Sequence, residues 1–260
     1  MEVRFVDPGA AYMIESILAF QGDEQSDFWA KPLYHFYPQL DRTYAAGLPT
    51  GERMAYIRQT MRSVYDEVRD TIAEKITLYS QHWAKCQRQI TAALSDAFQI
   101  NCADILNDLR CDVSLNPISP RFLQEHRFEV FYLNSERGAI GSSIHEIIHF
   151  VWFHVWHQVF QDGYDEYETP SLQWLLSEMV VESIMRDERL SSINPYFPRE
   201  NGGCIYPYFF DLEIAGKPFL DTLDELYRSQ DIAAFMRSSY ALCQQYEAEI
   251  REHIRLAEQG

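Results

Sequence analysis

The chain has 260 residues and a formal net charge of −17, from 39 acidic and 22 basic side chains. Hydrophobic residues make up 47% of it and charged residues 23%, which is typical of a globular protein with a buried core and excludes a disordered chain. We expect no nucleic-acid partner, because the sequence has no run rich in Lys and Arg and its negative field would repel a phosphate backbone.

The cysteines and the apolar segments indicate the compartment. The five cysteines are odd in number and form no C-x-x-C pair, which argues against a disulfide framework and against a thiolate zinc site. The first 20 residues lack the basic region of a signal peptide, and no run of about 18 apolar residues could span a bilayer. We therefore expect a cytoplasmic protein with no membrane partner.

The N-terminal part of the chain is predicted to be mainly helical. A short strand is expected at 3–6, where apolar residues alternate, and a helix at 10–20. Residues 21–48 show no clean period and are predicted to be irregular or short-helical. Neither Pro nor Gly interrupts 52–100, which predicts one very long helix or two in near-continuity, with Thr50 as N-cap.

After residue 110, β-branched and aromatic residues with turn residues between them change the pattern. They predict two short strands, followed by helices and loops. In chain order, the expected elements are strands at about 111–115 and 128–133, a turn at 135–138, a helix over 144–160 opened by Gly141-Ser142-Ser143 and ended by Gly163, a helix over 171–186, a loop over 194–207, and helices from about 219 onward.

The segment His145-Glu146-Ile147-Ile148-His149 has the pattern HExxH. On a helix, residues four apart lie on one face, about 6 Å apart along the axis, so the two imidazoles can converge on one tetrahedral ion. Glu146 is rotated by about 100° from His145, which lets it act as general base on a water at that ion. The alternative is an ordinary helix with two incidental histidines. The apolar neighbours favour a metal, because buried polar groups need partners.

The third protein ligand is expected outside this helix. His154 lies about 140° round the helix from His149, and His157 lies about 12 Å further along the axis, too far to share one ion. Glu178 interrupts an otherwise apolar helix and is the preferred third ligand, with Glu182 as the substitute. If Glu178 binds the metal, Glu182 can accept a hydrogen bond from the outer N–H of a ligand histidine. Zn²⁺ suits two imidazoles and a carboxylate best.

HExxH on one helix, followed by Glu178 on a second helix and an acidic residue four positions later, resembles the gluzincin metallopeptidases and, among them, a small bacterial gluzincin-like family. The resemblance covers about residues 111–190. It implies zinc-dependent peptide hydrolysis by a strand–helix–helix core, with the strand at 128–132 as the edge strand that pairs with an extended substrate. Ser177 departs from the pattern, because many members have Asn at that position.

Several residues near the motif have two interpretations each. Tyr206 and Tyr208 are candidate oxyanion donors, in a loop that Gly202-Gly203 would allow to move. Ser143 and Glu146 match an S-x-x-E capping box, a structural role that would compete for Glu146. Two tryptophans on the face of His149 either wall the site or pack in the core, namely Trp152 and Trp156.

These features predict an α+β, predominantly helical fold, with a small antiparallel-edged sheet beside the HExxH helix and a long-helix N-terminal lobe. The expected regions are a helical lobe at 1–110, a metal-binding catalytic core at 111–190 and a helical part at 191–260, within one compact unit. The function expected first is a zinc-dependent hydrolase, a peptidase acting on a peptide or protein substrate. The alternatives are a metal-binding scaffold without peptidase activity and a hydrolase of small amides or esters.

Overall fold

The computed structural model describes residues 2–23, 25–162, 168–195 and 197–259. The described residues are 64% helical, and they form ten α-helices, a mixed four-stranded sheet and a two-stranded ribbon. This confirms an α+β, mainly helical fold. Within the described part, no helix combines the length and apolarity needed to cross a membrane.

The elements follow one another along the chain as a mainly helical first half and a second half that alternates strands, helices and loops. The helices are α1 (Ala10–Leu18), α2 (Asp27–Phe36), α3 (Arg42–Ala46), α4 (Thr50–Phe98), α5 (Glu136–Phe160), α6 (Leu172–Arg186), α7 (Glu188–Ser191), α8 (Phe219–Ser229), α9 (Ile232–Gln245) and α10 (Glu247–Gln259). The strands are β1 (Val3–Val6), β2 (Leu109–Ser114), β3 (Arg121–Phe122), β4 (Arg127–Phe131), β5 (Glu213–Ile214) and β6 (Lys217–Pro218).

The chain divides into two compact units. The sheet unit comprises Val3–His82 and Arg110–Ala139, and the helical unit comprises Met1–Glu2, Trp83–Leu109 and Ile140–Gly260. Each unit is assembled from separate stretches of chain, because α4 and α5 contribute residues to both. The three consecutive regions expected from the sequence stay a prediction.

The sheet has the order β1-β2-β4-β3. β2 and β4 are parallel, and β3 pairs antiparallel with β4 at the edge, so the sheet is antiparallel-edged as expected. The expectation that β4 itself is an edge strand is wrong, because β3 pairs with its first residues, Arg127 and Phe128. The sequence did not predict β3, because turn residues surround it and a strand of two residues is too short to show a periodic pattern.

Two acidic side chains are buried side by side on the parallel pair of strands. Asp112 on β2 is in register with Glu129 on β4, and both are fully buried. The Tyr12 and Ser16 hydroxyls of α1 donate to Glu129 Oε1 at 2.8 and 2.7 Å. Arg127 lies 3.6 Å from Asp112 Oδ2. Helix α1 is therefore attached to the sheet through hydrogen bonds to a buried carboxyl group.

The long helix predicted at 52–100 is confirmed as the single helix α4. Thr50 is the first helical residue rather than the N-cap, and its hydroxyl donates to the Asp23 carboxylate. Within the sheet unit, the Tyr79 hydroxyl of α4 donates to the Asn134 carbonyl at 2.7 Å. This contact holds the chain just before α5 begins.

Helix α5 begins at Glu136, eight residues before the start expected from the sequence. Ser135 caps it, because its hydroxyl accepts the Gly138 N–H at 3.0 Å. Gly138 and Gly141 suggested a turn, but a helix tolerates glycine at about 1 kcal/mol each. Ser143 consequently lies in mid-helix, fully buried, so the expected capping box with Glu146 does not form. The expected end at Gly163 lies outside the described residues.

In the helical unit, α6 packs against α8 and α9. Helix α5 contacts α9 through two tryptophans: Trp152 lies against Phe235 with ring centroids 5.9 Å apart, and Trp156 lies against Tyr240 at 4.8 Å. Both tryptophans are almost fully buried. Their contacts favour core packing, the plainer of the two interpretations.

We expect Glu129 to make stability depend on pH. Burial raises the pKa of Glu129 above its ordinary value of 4.5, so the stability it contributes is complete below that value and is lost as pH rises through the folded-state pKa. From about pH 4.5 upward, the wild type should lose stability relative to Glu129→Gln until the folded-state carboxyl group has ionised. The loss amounts to about 1.4 kcal/mol for each tenfold difference in proton affinity between folded and unfolded protein.

Urea unfolding of both proteins at several pH values measures this difference. Glu125→Gln is the control, because Glu125 is an exposed carboxylate of the same unit and its removal should leave the pH dependence close to that of wild type. A constant difference between wild type and Glu129→Gln across this range would contradict the prediction.

Candidate metal centre

Helices α5 and α6 carry the polar residues of the candidate site into the helical unit. Helix α6 begins at Leu172 because the Ser171 hydroxyl accepts the Trp174 N–H at 3.1 Å, a typical N-cap. From this start, the apolar residues of α6 are buried, and Glu178 is buried with them at 1% exposure. A carboxylate in such surroundings requires a compensating partner.

The structure brings His145, His149 and Glu178 together. The Nε2 atoms of the two imidazoles are 3.1 Å apart. His145 Nε2 lies 3.4 Å from Glu178 Oε2, and His149 Nε2 lies 3.4 Å from Glu178 Oε1. Glu146 completes the group, with Oε1 at 3.8 Å from His145 Nε2. The ligand atoms of His145, Glu146 and His149 all lie within 4.8 Å of one another.

These separations fit the donor set of a tetrahedral zinc ion. With bonds of about 2.0–2.1 Å, two donors of a tetrahedron lie ~3.3 Å apart. The two Nε2 atoms are 3.1 Å apart, and each lies 3.4 Å from a different oxygen of the Glu178 carboxylate. Two imidazoles and one carboxylate are also a donor set that catalytic zinc sites use. The residues present therefore fit the metal.

A hydrogen bond sets the tautomer of His145. Its Nδ1 lies 2.8 Å from the carbonyl oxygen of Cys204. A carbonyl only accepts, so Nδ1 carries the proton and, in the neutral ring, Nε2 keeps its lone pair. That lone pair is directed toward His149 Nε2 and the Glu178 carboxylate, where a cation, either a proton or a metal ion, stabilises the cluster.

Exposure is uneven around the cluster. The side chains of His149 and Glu178 are 0% and 2% exposed, whereas those of His145 and Glu146 are 15% and 11% exposed. Solvent therefore reaches the cluster from the side of His145 and Glu146. The candidate general base lies on that side.

Glu182 has a different partner from the one expected. Its Oε1 accepts from Arg199 Nε at 2.9 Å and Nη2 at 2.7 Å, and Arg186 Nη1 lies at 3.3 Å. The expectation that Glu182 orients a ligand histidine is thus wrong for His145, because the backbone carbonyl of Cys204 takes that position. A buried glutamate beside a guanidinium forms the stronger, charge-assisted hydrogen bonds.

Tyr206 and Tyr208 stack on each other with ring centroids 5.5 Å apart. Tyr206 also contacts Trp174 of α6 at 5.7 Å. Burial raises the pKa of Tyr208, and the nearby Glu178 carboxylate raises it further, so this phenol keeps its proton at neutral pH and remains a donor. Its role toward an oxyanion stays a prediction.

The two other histidines of α5 have partners of their own. His154 lies 2.8 Å from the Gln158 side chain, and His157 Nδ1 lies 3.6 Å from Asp162 Oδ1. Burial lowers the pKa of His154. Their exclusion as ligands agrees with these contacts.

The sequence did not reveal two participants. The first is the Cys204 carbonyl, which contacts His145. Every residue has such a backbone group, so no residue type in the sequence indicates the contact. Arg199 begins a short 3₁₀-helix, Arg199–Asn201, in a stretch of sequence with no periodic pattern that would have indicated its contact with Glu182.

Comparisons of the chain with protein-family models, with curated proteins and with solved structures found no match.

We expect Glu178→Gln to weaken zinc binding by at least about 100-fold, the upper end of the loss for an outer partner of a ligand, because the neutral amide has nearly the same shape but no negative charge. Competition with a chromophoric chelator measures the dissociation constant. Glu129→Gln is the matched control, since it removes another buried carboxylate from the sheet unit, and it should bind zinc like wild type. Equal zinc affinity in Glu178→Gln and wild type would exclude Glu178 as a ligand.

Proposed function

We propose that the protein is a zinc-dependent hydrolase, most specifically a peptidase, in which His145, His149 and Glu178 hold the ion. The observation that carries the proposal is the set of separations between these three side chains, 3.1, 3.4 and 3.4 Å, which match tetrahedral coordination. Without a metal ion, the same contacts would need a shared proton to offset the charge of the buried carboxylate.

Zinc in such a site activates a water molecule and polarises the carbonyl under attack. The protein supplies the remaining functions. The Cys204 carbonyl holds the His145 ring with Nε2 directed toward the ion, and the burial of His149 and Glu178 keeps bulk water from the inner side of the site.

Glu146 is proposed as the general base. Its carboxylate is next to the candidate ligands but is separated by 3.8 Å from His145 Nε2, so it can accept a proton from a water between them and return it to the leaving group. Its side chain lies on the partly exposed side, where water and substrate approach.

The alternative of a metal-binding scaffold without activity receives less support. A structural zinc site is closed by four protein ligands. Among the described residues, two imidazoles and Glu178 lie closest together, and the fourth group, Glu146, is a carboxylate on the partly exposed side that is suited to base catalysis. The choice of a peptide over a small amide or ester depends on the resemblance to gluzincins, and the experiment below includes both substrate classes.

Glu146→Gln should retain zinc within a few-fold of wild type and lose hydrolysis by about 100-fold or more, the usual contribution of a general base. The amide keeps the shape of the side chain but cannot accept the proton. Cleavage of a mixed peptide library, followed by mass spectrometry, measures turnover, with a panel of small esters and amides in parallel. Zinc content is determined on the same samples.

The control is Glu136→Gln, which changes the other glutamate of α5 and should leave turnover unchanged. If Glu146→Gln binds zinc and cleaves peptides as fast as wild type, the assignment of the base is wrong. If the wild type binds zinc and hydrolyses nothing in either panel, the scaffold function replaces the peptidase.

A further inference from the structure

Arg199 connects helix α6 to the loop that follows α7. Its Nε and Nη2 atoms both donate to Glu182 Oε1, at 2.9 and 2.7 Å, and Nη2 also lies 3.3 Å from Asp221 Oδ1. Glu182 is 2% exposed, so this ion pair is largely removed from solvent and its geometry is fixed by two converging N–H groups.

The backbone after Arg199 turns sharply back toward α5. The Gly202 N–H donates to the Arg199 carbonyl at 3.0 Å, and the Gly203 N–H donates to the Pro198 carbonyl at 3.0 Å. Gly203 has a φ of +64°, and a Cβ there would lie 2.3 Å from the Phe210 ring. Both glycines have a positive φ and close a tight turn that other residues cannot adopt easily, and the expectation that they allow movement stays a prediction.

The residue after this turn is Cys204, whose carbonyl accepts the Nδ1–H of His145. The guanidinium of Arg199 lies 5.9 Å from the centre of the same Phe210 ring that covers Gly203. A continuous set of contacts therefore leads from Glu182, through Arg199 and the turn, to the imidazole of a candidate ligand.

We propose that Arg199 is a positioning residue for His145: its ion pair with Glu182 holds the 199–204 turn so that the Cys204 carbonyl fixes the Nδ1–H tautomer of the ligand. This inference rests on the proposed function only in calling His145 a ligand. Glu182, four positions after Glu178, then anchors a loop instead of accepting a hydrogen bond from a histidine.

The structure supplies a matched comparison for this proposal. Arg186 contacts the same Glu182 oxygen at 3.3 Å from one turn further along α6, and its guanidinium also acts electrostatically on Cys204. The backbone hydrogen bonds of the turn and the two N–H groups of Arg199 stay available without Arg186, so we expect its loss to change the charge around Glu182 without releasing the turn. Loss of Arg199 changes the same charge and releases the turn.

The first measurement uses metal-free protein. ¹⁵N shifts of the His145 imidazole, recorded at about pH 8, where an ordinary histidine is neutral, distinguish the two tautomers. At a pH high enough for the ring to be neutral, which the same spectra establish, we expect wild type and Arg186→Gln to hold the Nδ1–H tautomer and Arg199→Gln to show a mixture of both. A purely structural role for Arg199 would leave this signal unchanged.

The second measurement is the zinc dissociation constant. Arg199→Gln should bind zinc about tenfold more weakly than wild type, the lower end of the loss for a partner that orients a ligand, and Arg186→Gln should bind within about twofold. Arg199→Lys keeps the charge but cannot direct two N–H groups at one oxygen, so an intermediate affinity is expected. This variant decides the outcome if Arg199→Gln does not fold.

An unchanged His145 tautomer together with wild-type zinc affinity in the deciding Arg199 variant would overturn the proposal, and so would an equal effect of Arg186→Gln. Failure of the proposed function has a different signature. If the wild type binds no zinc, that function is lost, while the tautomer in metal-free protein still decides the role of Arg199.

Discussion

The candidate site depends on one buried carboxylate that faces two imidazoles. Glu178 is almost fully enclosed by the helical unit, and its two oxygens each lie 3.4 Å from an Nε2 atom. An ionised group in this position is tolerated when a positive charge is shared among the three side chains. The proposed ion would supply that positive charge. The same charge requirement explains why His145 and His149 of α5 contact Glu178 of α6.

The helical periodicity of the sequence was sufficient to find the inner part of the site. Four-residue spacing places His145 and His149 on one face, and an acidic residue in an otherwise apolar helix indicated Glu178, because both patterns reflect the fixed geometry of a helix. The coarse fold class and the long helix α4 were predictable for the same reason, since neither Pro nor Gly interrupts that segment.

The parts that the sequence did not predict are those fixed by backbone groups or by contacts distant along the chain. Because of Gly138 and Gly141, the sequence predicted that α5 starts at 144. The helix starts at Glu136, where the Ser135 hydroxyl caps it. The partner of His145 is a carbonyl, which every residue possesses. Glu182 was assigned to a histidine because Arg199, which makes its two shortest hydrogen bonds, is reached only after a stretch without periodicity.

The early start of α5 has a consequence for the histidines themselves. More than two turns of hydrogen-bonded helix precede His145, and three follow His149, so the motif is remote from the ends where helices fray. The spacing of the two rings is then maintained by the helix even before any ligand arrives. Binding of an ion would then order little of the chain. The affinity would not be lowered by the loss of conformational entropy that ordering a flexible loop costs.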